Sequence, residues 1–279
     1  MFETLRARVG LAAAFFIPRG LSAATVLVAS ALSAQTVLFP TPIHLTRQIG
    51  DPISHSSSIV DEYYQGNRAF AIRGTLTAIT DYEKGQLTRI DRAAGTYSIT
   101  TFEAIASRTK GEFPAVVSRQ GSKLTTRSAG NRVIAGRNTQ LIEASREDRA
   151  VSRRFQIALD PEITVSDAAL EVIVGSAYPN PKNEDSQDLI AAMRSAAPAG
   201  AMSKAGSSTA LPLEQTITYD IDGESLRFTN VVSRVGNELP PADLVTIPPG
   251  ARRVDDERLQ LPQILHDLDS LNPRPTPRK

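Results

Sequence analysis

DEYYQGNRAFAIRGTLTAITDYEKGQLTRIDRAAGTYSITTF, residues 61–102, decides how this chain reads. Short alternating runs are separated by turn residues, the pattern of an antiparallel meander. Ser57 to Tyr64, Arg68 to Ile72, Leu76 to Tyr82, Gln86 to Asp91 and Thr96 to Phe102 read as strands. The breaks are Gln65-Gly66-Asn67, Gly74, Glu83-Lys84-Gly85 and Arg92-Ala93-Ala94-Gly95. Each carries a glycine where a tight reversal needs positive φ, so the stretch predicts one curved sheet.

On its N-terminal side, residues 36–53 hold Pro40, Pro42 and Pro52 and read as an extended lead-in rather than a regular element. Further back, Arg6 and Arg8 give a basic start, and apolar runs from Val9 to Ile17 and from Leu21 to Leu32 flank Pro18-Arg19-Gly20. The second run ends in Ala29-Ser30-Ala31, the small-x-small pattern of a signal-peptidase site, so residues 1–31 read as a cleavable signal peptide. The rival reading, a retained membrane span, would place Arg19 near the bilayer centre at a cost of about 2.5 to 3.5 kcal/mol. Export to a periplasmic or extracellular location is therefore the expectation.

On the C-terminal side, Arg108 to Arg137 carries Arg108, Lys110, Arg119, Lys123, Arg127, Arg132 and Arg137 against a single acid, Glu112. Arg119, Lys123 and Arg127 are a candidate basic face for an envelope protein or an anionic lipid surface. A solvated loop or hairpin is the plainer reading. Strand alternation returns at Val133 to Ala135 and Thr139 to Ala144 around Gly136. It continues from Ser152 to Leu159, where Phe155, Ile157 and Leu159 share one face and Asp160-Pro161 is expected to end the strand. Ser166 or Asp167 caps a predicted helix from Ala168 to Val174, and Leu189, Ile190 and Met193 mark a second from Ser186 to Ala196. Ala197 to Ala210 reads as a flexible segment. Ile217, Tyr219 and Ile221 then alternate up to an Asp222-Gly223 turn, with Leu226, Phe228 and Val232 beyond it, a hairpin signature. Leu239 to Pro249 is a proline-rich extended strip, and residues 257–279 read as a short helix and a frayed tail.

Composition narrows the functions. The 279 residues are 41% hydrophobic, enough for a sizeable core. Lys and Arg number 31 against 30 Asp and Glu, and aromatics are 5%, so neither a global field nor stacking platforms favour nucleic acid. Zero cysteines exclude disulfides, thiolate metal sites and cysteine nucleophiles. His44, His55 and His266 lack the spacing of a metal motif and a G-x-S-x-G partner. Asp220, Asp222 and Glu224 around Gly223 fall short of a calcium loop and read as turn polarity. Asp61, Glu62, Asp81, Glu83 and Asp91 could supply a glycosidase pair only by projecting into one cleft, and most lie at strand ends or turns. The sequence names no catalytic residue, metal site or cofactor, and the expected role is non-enzymatic, with a hydrolase as the remote alternative.

Several blocks carry a family likeness. Tyr63-Tyr64-Gln65-Gly66-Asn67-Arg68, Ile79-Thr80-Asp81-Tyr82, Arg89-Ile90-Asp91 and Gly95-Thr96-Tyr97-Ser98 are continued by Val133-Ile134-Ala135-Gly136, Pro212-Leu213-Glu214-Gln215 and Ile247-Pro248-Pro249-Gly250. Together they resemble an uncharacterised bacterial envelope family whose strand layout is similar to the LolA/LolB-like half-barrel of lipoprotein carriers and receptors. The chain lacks the tryptophan of that pattern, with Phe155 in the middle strands, and Ala251 follows Gly250 where an aromatic is common. The resemblance implies a mainly β fold, an incomplete antiparallel barrel closed by short helices, and no catalytic residue. The implied organisation is a lead-in over residues 32–56 and one half-barrel domain over residues 57–256. In such a fold Phe155, Ile157, Ile217, Tyr219 and Ile221 line either a pocket for a lipid or other hydrophobic ligand or an ordinary dry core. A structural or interaction module of the envelope is the alternative function.

Overall fold

Strand β1 (Phe39–Asp51) runs directly into the meander, β2 (Ser56–Gly66), β3 (Arg68–Arg73), β4 (Leu76–Asp81), β5 (Gln86–Asp91) and β6 (Thr96–Thr101). The computed structural model describes residues 37–53, 55–105, 107, 123–147, 151–177, 184–195, 202–203, 206–221 and 223–255. Gly66, Gly74, Gly85 and Gly95 all take positive φ, between 56° and 63°, so the four reversals fall where the glycines placed them. Two turns use the same aspartate device. The carboxylates of Asp81 and Asp91 accept from the backbone N–H of Lys84 and Ala94, each at 3.0 Å.

The second half comprises β7 (Thr125–Ile134), β8 (Arg137–Glu147), β9 (Val151–Ser166), α1 (Asp167–Ala177), α2 (Glu184–Ser195), β10 (Met202–Ser203), β11 (Gly206–Ile221), β12 (Glu224–Gly236) and β13 (Arg252–Arg253). The sheet order is β13-β6-β5-β4-β3-β2-β1-β12-β11-β9-β8-β7, with β10 on β11. Every pairing is antiparallel except β13 with β6. The terminal strands β13 and β7 do not pair with each other, so the barrel stays open.

Three expectations are corrected. The lead-in is strand β1, held between β2 and β12. Its prolines are tolerated because Pro40 and Pro42 fall in a register shift between Phe39 and Ile43, while pairing with β12 starts only at His44. The strand expected to stop at Asp160-Pro161 continues to Ser166. The ladder jumps from Leu211 opposite Asp160 to Ala210 opposite Thr164, so Pro161 sits in a bulge and needs no N–H partner. Gly206 to Ala210, expected to be flexible, belongs to β11 and pairs through Ala210 with β9. The expected signal peptide, Arg119, His266, the turn residue Asp222 and the predicted C-terminal helix lie outside the described residues.

Alternation divides the sheet into two faces. The inner face carries Leu45, Tyr64, Ile142, Phe155, Ile157, Ile217 and Val232, and against them pack Ala169, Leu170, Ile173 and Val174 of α1 and Leu189, Ala192 and Met193 of α2. Both helices form where the apolar spacing placed them. The Ser166 hydroxyl accepts from the Ala169 N–H at 3.2 Å, a cap on α1. The outer face carries Tyr63, Phe70 and Ile72, covered by Leu244 and Val245 of the proline-rich strip. That strip has no strand or helix from Glu238 to Ala251 and reaches the far edge of the sheet, where β13 joins β6.

Two polar clusters fix these layers. Inside, Arg47 is fully buried, its Nε donating to Glu62 at 2.6 Å and its Nη1 to Asn230 at 3.3 Å, while the Tyr64 hydroxyl donates to Glu62 at 2.7 Å. Outside, the His44 ring stacks on Tyr63 with centroids 4.1 Å apart. Its Nδ1 lies 3.0 Å from Glu238 and its Nε2 3.4 Å from Asp61. A Cβ on Gly236 would meet the Glu238 carboxylate, so a larger residue there would displace that side chain from its place beside His44.

Arg47→Met is expected to lower unfolding free energy by about 3–5 kcal/mol because it strands the buried Glu62 charge. Denaturant unfolding should show Arg47→Met combined with Glu62→Leu losing less than the single variant, and an unchanged midpoint in the single variant would refute the role of the pair. A pH effect follows at the strip. The Glu238 carboxyl is held down at about 2 by its own backbone amide and then by His44, below its ordinary 4.5. A depressed carboxyl stabilises the fold above pH about 4.5, and that contribution is lost as pH falls through about 2. Carbon-detected NMR titration should place the Glu238 midpoint near the lower value, and His44→Gln should raise it.

Candidate binding site beneath the helical pair

The inner face of β8, β9 and β11 is where the sequence-selected apolar residues meet. Ile217 stands opposite Phe155, and Ile157 lies between Gln215 and Ile142 across the neighbouring strands. Phe155, Ile157 and Ile217 are buried in the core cluster beneath the helices. Tyr219 is half-buried, its ring edge-on to Phe228 at 5.7 Å. Ile221 ends the same strand, half-buried, opposite Val151 and outside that cluster. Four of the five residues therefore share one apolar surface, and the fifth lies at its margin.

What the sequence reading missed is how α2 is fastened over that surface. Arg153 Nη1 donates to Asp185 at 2.6 Å, and the pair is almost wholly buried. The Tyr219 hydroxyl donates to the same carboxylate. One turn further on, Arg146 grips Asp188 with two bonds of 2.7 and 2.6 Å. Both aspartates lie in the first turns of α2, where negative charge also suits the helix dipole. One signal was available: Arg153 has the parity of Phe155 and Ile157, and an arginine on an apolar face asks for an acidic partner. The partner's position was not legible. At the other end of α2, Arg194 reaches Glu171 at 3.3 Å and Asp167 at 3.4 Å on α1.

Beside the C-terminal end of α2 lies a groove of about 210 Å³ lined by Thr126, Arg127, Ser128, Gln140, Ile142 and Ser195. The Ser195 hydroxyl is 3.2 Å from that of Thr126, bridging helix and strand. Of the candidate basic face, Lys123 is exposed just before β7, and Arg127 is exposed on β7 with bonds of 2.9 and 2.5 Å to Glu143. Those bonds draw the Glu143 carboxyl below the usual range. Arg132 pairs with the buried Glu214 at 2.7 Å.

Glu62, Asp61, Asp81, Asp220 and His44 carry structural contacts. Glu62 faces Arg47 on the inner side, while Asp61 bonds Thr46 at 2.7 Å. Asp81 accepts from Arg68 at 3.0 Å, and Asp220 from Arg154 at the same distance. Asp61 and Glu238 approach opposite nitrogens of His44, which is not a metal-chelating arrangement. Among the described residues no group of three or more such side chains could hold a metal ion, and no helix is long and apolar enough to cross a membrane.

An open antiparallel sheet with a helical pair on one face defines the class, an incomplete β-barrel plugged by helices. No family model matches the sequence, and no curated protein matches it. Among solved structures, MucB resembles the chain with a TM-score of 0.37 at 10% identity, over 76% of this chain and 58% of that one. A Pseudomonas aeruginosa MucA/MucB complex gives 0.37 at 12% identity, over 76% and 56%. A putative outer membrane lipoprotein-sorting protein domain from Vibrio parahaemolyticus gives 0.19 at 10% identity, over 73% and 88%. The chain spans a little over half the length of the MucB chains it matches. Its class rests on its own strand order and register.

Asp185→Asn should cost about 3 kcal/mol by leaving Arg153 charged and buried. Asp188→Asn, opposite the partly exposed Arg146, should cost about 1 kcal/mol. Denaturant unfolding measures both, and amide exchange along α2 should quicken more in the first variant.

Proposed function

We propose that this protein is an exported, non-enzymatic binding module of a bacterial envelope that holds the hydrocarbon part of a lipid, or another apolar ligand, beneath α2. The observation that carries this reading is the division of labour at α2. Its apolar side covers Phe155, Ile157 and Ile217, while ion pairs to Arg146 and Arg153 fasten its first turns. Carboxylates and guanidinium groups released at a sheet margin regain water, whereas the apolar surface beneath has no polar compensation and favours a hydrocarbon replacement for Leu189 and Met193. The basic start, the two apolar runs and Ala29-Ser30-Ala31 support export. The turn carboxylates of Asp81 and Asp91 and the ring of His44 are engaged in fold contacts, which supports a binding role over hydrolysis.

Native mass spectrometry with organic extraction, on protein purified from its own envelope fraction, tests the reading. The expected result is a co-purifying apolar molecule of defined mass, lost or weakened when Met193→Arg places a charge at the covered surface. Protein that is free of ligand and whose melting temperature does not move with added long-chain fatty acid would overturn it.

A further inference from the structure

The two edges of this sheet are treated differently. At one, β13 pairs with β6, the N–H of Arg252 donating to Gly95 at 2.9 Å and that of Val254 to Tyr97 at 2.8 Å. At the other, β7 pairs only with β8 among the described strands, and Thr125 to Val133 are exposed without interruption. An edge strand so exposed offers a row of main-chain donors and acceptors to an incoming strand. A bulge divides it. The register jumps between Ser128 and Asn131, and Gly130 takes a φ of 95°. The bulge denies the edge to a long flat partner, including the full length of a second β7, and leaves Thr125 to Ser128 as the regular stretch.

That stretch borders the groove. Thr126 and Ser128 stand opposite Ala144 and Ile142, on the inner side of the sheet, and both line the groove together with Ile142 and Ser195. Arg127, which also borders the groove, carries its guanidinium to Glu143 on the other side of the sheet. The strand contains Arg127 and Arg132 and no carboxylate, and Lys123 precedes it. An added strand would alternate in step, one side chain over the groove and the next beside the basic side chains.

We propose that the Thr125 to Ser128 edge receives an extended segment of a partner protein by strand addition, with an aliphatic side chain seated in the groove and acidic side chains beside Lys123 and Arg127. Main-chain bonds supply affinity, and the groove and the charges supply selection. The site adjoins the surface covered by α2, sharing Ile142 and Ser195 with it, but strand addition at the edge does not depend on an apolar ligand being held there.

The test uses the full chain and an N-acetylated peptide of strictly alternating leucine and glutamate. Fluorescence anisotropy should show saturable binding, and amide exchange should slow at alternate residues within 125–128. Ser128→Trp, at an exposed position, fills the groove and should weaken binding about tenfold or more, the loss expected when one leucine stays unburied. Ile59→Trp, exposed on β2 away from this edge, should bind as the parent does. Binding without protection at 125–128, binding undiminished in Ser128→Trp, or a protein that already dimerises through this edge would each overturn the proposal. None of these outcomes bears on whether a lipid co-purifies.

Discussion

A buried arginine at the centre of the sheet is the constraint on which the rest of the molecule depends. Arg47 lies on β1, the strand that joins the meander to the second half of the sheet, at the point where the register with β12 shifts. Burial works against its charge, but the attraction of Glu62 and then of Tyr64, with their hydrogen bonds, outweighs it and raises the guanidinium pKa. Such a pair repays its desolvation only when its geometry is held from all sides. Here β2 supplies Glu62 and Tyr64 and β12 supplies Asn230. Arg47 therefore links the two halves of the sheet, its Nε held from β2 and its Nη1 reaching β12.

The helices obey a different balance. Leu170, Ile173, Leu189 and Met193 are fully buried, and each such side chain contributes about 1.5–3 kcal/mol on leaving water. That total exceeds anything the ion pairs at the margin could add. Apolar burial therefore decides that α1 and α2 dock on the sheet, while Arg146 and Arg153 decide the position of α2. Non-directional attraction cannot set a register, and a two-bond grip on Asp188 can. This separation of adhesion from positioning is what a helix over an apolar surface needs if a hydrocarbon is to take its place.

On the outer face the proline-rich strip solves a problem of sheet geometry. Tyr63, Phe70 and Ile72 would otherwise form an exposed apolar patch, and β6 an open edge. Leu244 and Val245 cover the first and β13 closes the second. The strip needs no regular structure because its contacts are made by a few side chains and by the clamp at Glu238 over Gly236. The edge at β7 has no such cover among the described residues, and its glycine bulge and arginines are the devices that keep a needed edge from indiscriminate pairing.

Local chemistry alone determined the meander, its four glycine turns, the hairpin at Gly223, the Ser166 cap and the apolar sides of both helices. These features depend on residues a few positions apart, whose spacing encodes conformation directly. Only the tertiary structure decided that residues 39–51 are a central strand, because Pro40 and Pro42, which have no N–H to donate, are tolerated where the register with β2 shifts and no ladder bond is asked of them. The same holds for Pro161 within β9. The partners of Arg47, Arg146 and Arg153 could not be named in advance, since the attraction between charges carries no information on sequence separation. A buried arginine announces that it requires a carboxylate, and the folded chain alone says which one.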